Sequence, residues 1–86
     1  MPEISRFLGI SIRMYFDDHS PPHFHAAYGG VEAVLEIGSL ELTHGRLPRR
    51  VLGLVLEWAV LHRSELRENW SRARSGLDLL PIKPLE

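Results

Sequence analysis

The chain has 86 residues, with 10 Lys+Arg against 11 Asp+Glu and a formal charge of −1, which suits one domain and lacks the basic excess of a general nucleic-acid coat. With no Cys there is no disulfide frame, no thiolate nucleophile and no cysteine-built zinc site, so any metal has to be held by His and carboxylate. The longest apolar stretch, Val51 to Leu61, contains Glu57 and falls short of the roughly 20 residues a bilayer demands; with no apolar leader in Met1-Pro2-Glu3-Ile4-Ser5-Arg6, a cytoplasmic protein with no membrane contact is expected.

Ile4 to Phe7 reads as an edge strand. From Ile10 to Phe16 the residues alternate, with Ile10, Ile12, Met14 and Phe16 on one face and Ser11, Arg13 and Tyr15 on the other, the pattern of a half-buried strand. Asp17-Asp18-His19-Ser20-Pro21-Pro22 breaks it, because two prolines remove donors and fix φ, and a stiff loop is predicted. His23 to Tyr28 and Val31 to Ile37 are further strands, joined by Gly29-Gly30, a pair suited to the positive φ values of a two-residue hairpin. Gly38-Ser39 repeats the device before Leu40-Glu41-Leu42-Thr43, so residues 1–43 read as an antiparallel meander of three to five strands. Pro48 opens a helix whose apolar spacing of three and four runs over 48–75 and stops at Gly76. The rest, 77–86, is apolar but proline-broken and reads as an extended tail. The predicted class is α+β: one meander packed on one long C-terminal helix.

A two-residue turn at Gly29-Gly30 sets Tyr28 against Val31, Ala26 against Ala33 and Phe24 against Leu35 on the core side. On the outer side it sets Ala27 against Glu32, His25 against Val34 and His23 against Glu36. The same logic at Gly38-Ser39 pairs Leu35 with Leu42 and Glu36 with Glu41, and like charges set opposite each other call for a cation, a proton or a metal. Matching core faces puts Ile12 beside Tyr28 and Met14 beside Ala26, which leaves Tyr15 next to His25 and Asp17 close to His23. The outer face then gathers Arg13, Tyr15, Asp17, His23, His25, Glu36 and Glu41. Imidazoles that titrate near neutrality beside carboxylates suit acid–base work, and His-Phe-His puts two of them on one strand face, a spacing metals use. A divalent metal on His23, His25 and Asp17 or Glu36, with His62 if the helix end approaches, is one reading; a merely solvated sheet face is another.

On the helix, Leu52, Val55, Leu56, Ala59, Leu66 and Trp70 form a stripe for the sheet, while Val51, Leu54, Trp58 and Leu61 form a second. That exceeds the apolar third of a surface helix, so the tail and edge strand wrap it, or a second copy or another small protein does. Beyond it His62, Glu65 and Asn69 read as a polar rim bonded along the helix, and Arg63, Arg67 and Arg74 as charges favoured by the helix dipole.

Pro2 to Phe7, Arg13-Met14-Tyr15-Phe16-Asp17-Asp18-His19, Pro21-Pro22-His23-Phe24-His25-Ala26 and Tyr28-Gly29 resemble a bacterial family, domain of unknown function 4160. Leu47-Pro48-Arg49-Arg50, Leu56-Glu57-Trp58-Ala59, Leu61-His62, Glu65-Leu66 and Glu68-Asn69-Trp70 extend the resemblance over nearly the whole chain. It implies a small prokaryotic protein encoded beside another small protein, as in toxin–antitoxin pairs, which fits an oligomer or heteromer built on Val51, Leu54, Trp58 and Leu61. It also fits an RNA-directed enzyme, with His23 and His25 as base and acid, Glu36 orienting them, Arg13 clamping phosphate and Tyr15 completing the set. A metal-dependent hydrolase or metal-binding module on the His-x-His pair, and a non-catalytic interaction module, are the rival expectations.

Overall fold

Leu8 and Gly9, with φ of 51° and 79°, reverse the chain between strand β1 (Glu3–Phe7) and strand β2 (Ile10–Arg13) in a computed structural model that describes residues 3–86. Met1 and Pro2, which belong to the expected leaderless start and, for Pro2, to the resembling segment, lie outside the described residues. Gly29 and Gly30, at φ of 54° and 85°, make the matching turn between β3 (His23–Tyr28) and β4 (Val31–Glu36), as a primed hairpin turn requires. Strand β5 (Leu42–Gly45) completes a five-stranded antiparallel sheet in the order β1-β2-β3-β4-β5, a meander of neighbours.

The β3–β4 register is the expected one throughout, from Tyr28 opposite Val31 to His23 opposite Glu36. Its core face, Phe24, Ala26, Ala33 and Leu35, is closed to solvent together with Ile10, Ile12 and Met14. Three expectations need correction. Strand β2 ends at Arg13, not Phe16: the chain turns at Phe16–Asp17, and Phe16 faces outward at 43% exposure. Ile12 pairs with Ala26 rather than Tyr28, so Arg13 lies directly across from His25. A slip of two residues keeps every side chain on its face, so the apolar pattern is blind to it. The turn after β4 is longer than Gly38-Ser39: Leu40 has φ of 60°, Leu40 N–H donates to Glu36 O and Glu36 N–H to Glu41 O, while Leu35 still meets Leu42.

The single long helix is two, α1 (Arg49–Leu61) and α2 (Arg63–Arg74), broken at His62, whose φ of −120° and ψ of 24° are not helical. No Pro or Gly marks that break in the sequence. Pro48 caps α1 from outside it, its carbonyl accepting from Leu52 N–H. Gly76, at φ of 72°, ends α2 with Leu77 N–H donating to Arg72 O and Gly76 N–H to Ala73 O, the Schellman pattern.

Of the two coverings expected for the second stripe, the chain's own tail and edge strand account for most of it. Val51 and Trp58 are 5% and 0% exposed in the shared core, Leu54 packs against that core half-buried, and Leu61 alone stands out at 67%. The tail closes this side. Trp58 Nε1 donates to Lys83 O at 2.9 Å, Ile82 N–H to Ile4 O of β1 at 2.7 Å, and the Asn69 amide both donates to and accepts from Leu80's backbone at 2.8 Å. Asn69 is therefore a buried clamp, not a rim residue, whereas His62 and Glu65 do bond each other, Nδ1 to Oε1, at 2.5 Å. Among the described residues no helix is long and apolar enough to cross a membrane.

Candidate metal centre

Strand alternation puts Phe24 in the core, so its neighbours His23 and His25 both emerge on the outer face of β3. The turn at Phe16–Asp17 brings Asp18 back over that face. There one carboxylate oxygen, Asp18 Oδ2, lies 3.0 Å from His23 Nε2 and 3.1 Å from His25 Nε2. The far nitrogens are held as well: His23 Nδ1 is 2.8 Å from Pro21 O, and His25 Nδ1 is 2.9 Å from Glu32 Oε2. Each histidine side chain is 16% exposed and Asp18 is 25% exposed, so the cluster is sheltered yet reachable. The Tyr15 ring meets His25 edge-on at 4.5 Å, and Trp70 of α2 lies 5.1 Å from His23, bracing the imidazoles from two sides.

A carbonyl oxygen only accepts, so His23 donates through Nδ1–H to Pro21. Glu32's carboxylate takes the Nδ1–H of His25 in the same way. In the neutral rings both Nε2 lone pairs then aim at the carboxylate oxygen, and three electron-rich atoms meet at one point. Only positive charge between them, as protons or a metal ion, makes the arrangement favourable. The spacing suits an ion: ligands about 2.0–2.1 Å from a zinc-sized ion stand roughly 2.9–3.4 Å apart. A histidine that ligates through one nitrogen and donates the other N–H to a carboxylate or carbonyl is the usual outer-shell arrangement at metals.

Of the residues singled out from sequence, His23, His25 and Tyr15 come together here. Asp17 does not: it is exposed in the turn, and Asp18 occupies the place that strand alternation through residue 17 assigned to it. Glu36 lies across from His23 in register but its carboxylate makes no hydrogen bond or ion pair among the described residues; the carboxylates on the imidazoles are Asp18 and Glu32. Glu32 was legible, since it sits diagonally from His25 across the β3–β4 pair, within reach of a long side chain. Asp18 and Trp70 were not, because the first needs the loop's path and the second the helix's placement. Arg13 turns away, its Nε donating to Ser11 Oγ at 3.0 Å. Ser11 in turn donates to Glu3 Oε2 at 2.6 Å, and this bond, followed by Arg6's, holds the Glu3 carboxyl below its ordinary pKa. His62 is engaged with Glu65 and stacks near Trp58, apart from the cluster.

Asp18 and His23 also form one wall of a cleft of about 390 Å³, faced by Val34, Glu36, Thr43 and His44 from β4 and β5. That is within the size range of small-molecule sites. Arg74 of α2 reaches the loop on its outer side, donating to Ser20 Oγ at 3.2 Å with its guanidinium over Trp70.

No curated protein and no solved structure matches this chain. The sequence model of one family, described as domain of unknown function (DUF4160), matches residues 9–71, a span that runs from the β1–β2 turn through the His cluster and α1 and ends within α2. The chain belongs to that family.

Proposed function

We propose that this protein binds a divalent transition-metal ion on Asp18 Oδ2, His23 Nε2 and His25 Nε2. The observation that carries the reading is the convergence of two imidazole nitrogens on one carboxylate oxygen while both other nitrogens are engaged by acceptors. The three ligand atoms lie within 4.8 Å of one another. Two histidines and one carboxylate suit zinc and the first-row metals to its left, and leave at least one coordination position for water or substrate. The RNA-directed reading has less support, because Arg13, its phosphate clamp, is committed to Ser11 and lies outside the cleft.

The test is elemental analysis and zinc titration calorimetry of the full chain purified without a metal column. One equivalent of metal is expected in the wild type, with binding lost in His23→Ala, His25→Ala and Asp18→Asn. Glu32→Gln is expected to weaken binding about 10–100-fold, as removing an outer-shell partner does. A wild type that takes up no stoichiometric zinc, cobalt or manganese overturns the reading.

A further inference from the structure

The metal reading leaves the cleft beside the ligands, and the free carboxylate in it, without a role. The cleft runs from Asp18 and His23 on one wall to Val34, Glu36, Thr43 and His44 on the other, and no Lys or Arg lines it. Its walls carry two carboxylates, whose charge a bound divalent ion only balances, so no surplus positive charge is left to hold a phosphate or other anion, and Arg74 is engaged by Ser20 and Trp70. The carboxylates on the imidazoles are engaged, Asp18 by both histidines and Glu32 by His25. Glu36 is half-buried, its carboxylate without a hydrogen-bond or ion-pair partner among the described residues, on the strand position directly opposite His23.

Resting on the metal reading, we infer that this cleft is the substrate site of a hydrolase for small uncharged carbonyl compounds, esters or amides, with Glu36 as the general base. The ion draws the carbonyl oxygen or the attacking water to the open position beside Asp18 and His23. The water oxygen bonds to the carbonyl carbon as its proton passes to Glu36. The tetrahedral adduct then breaks its bond to the leaving oxygen or nitrogen, which takes that proton from Glu36. One water is consumed and an acid and an alcohol or amine are formed, with no change of oxidation state. Val34 and the methyl of Thr43 supply apolar wall for the organic part of such a substrate.

The experiment compares zinc-loaded wild type, Glu36→Gln and Thr43→Trp, each with its bound zinc counted, on p-nitrophenyl acetate and on bis(p-nitrophenyl) phosphate, with chelated protein as background. Zinc-dependent hydrolysis of the acetate is expected, reduced about 10²-fold or more in Glu36→Gln, the usual contribution of a positioned base. Thr43→Trp, which narrows the cleft from β5, one strand beyond the partner of the ligand strand, is expected to lose the activity and keep its zinc. Wild type that holds one zinc yet hydrolyses neither ester, or prefers the phosphodiester, or is matched by Glu36→Gln, overturns the inference and leaves the metal reading standing. Failure to hold zinc overturns both.

Discussion

Gly45 ends β5 against the backbone of β4, with φ of +69°, and a Cβ added there runs into the Glu32 carbonyl oxygen and Ala33 Cα. Backbone atoms on the inner side of a sheet have little room to retreat. The left-handed conformation costs an L-residue about 1–2 kcal/mol, and overpacking adds about 1–3 kcal/mol. Gly45→Ala is therefore expected to lose about 2–5 kcal/mol in urea denaturation, whereas a wild-type-like midpoint contradicts the β4–β5 register. Gly29 and Gly30 differ in kind: nothing lies within 4 Å of a Cβ at either, and only their positive φ asks for glycine. That requirement was readable, because a Gly-Gly pair between alternating segments is a local turn signal. The demand at Gly45 was not, since it comes from Glu32 and Ala33, residues brought beside it only by the fold.

At the scale of elements, local rules carried the reading a long way and stopped where parity or contact decided. The Gly29-Gly30 turn, the whole β3–β4 register, the Gly76 stop and the extended tail follow from period and turn chemistry. The β2–β3 register did not, as a shift of two residues changes no face, and the break at His62 has no Pro or Gly to announce it. The helix stripe facing the sheet is rotated toward Val51 and Trp58 because the tail, by covering that flank, widens the buried sector. Asn69 is the hinge of this arrangement. Only 1% exposed, it satisfies both the N–H and the C=O of Leu80, which itself stands 42% exposed. Each such hydrogen bond is worth about 0.5–1.5 kcal/mol where water can replace it. Asn69→Ala is expected to destabilise the chain by about 1–3 kcal/mol through the two bonds together, and to speed amide exchange at Leu80 and Ile82 before any strand of the sheet. Uniform exchange across the molecule would show that the tail is not an independent strap.

The candidate centre joins the β2–β3 loop, strand β3 and helix α2. The β2–β3 loop meets β3 through Asp18 and meets α2 through Ser20 and Arg74, while His23 touches Trp70. An ion held by Asp18, His23 and His25 would cross-link loop and sheet in the folded state and find no such cluster in the unfolded chain, so binding free energy becomes folding free energy. With free metal at about 100 times Kd, the added stability is about 2.7 kcal/mol. For a chain this small each 1 kcal/mol moves Tm by about 4–8 °C, so zinc is expected to raise Tm by roughly 10–20 °C and a chelator to reverse it. The sequence carried two of the three proposed ligands, because a strand alternates; the third proposed ligand comes from a loop, where no period applies, and strand parity pointed to Asp17 instead. The two carboxylates therefore separate the readings thermally. Asp17→Asn is expected to keep the full zinc-dependent rise in Tm, and Asp18→Asn to lose it. A rise that survives Asp18→Asn but not Asp17→Asn would mean that the loop closes over the histidines in the other register.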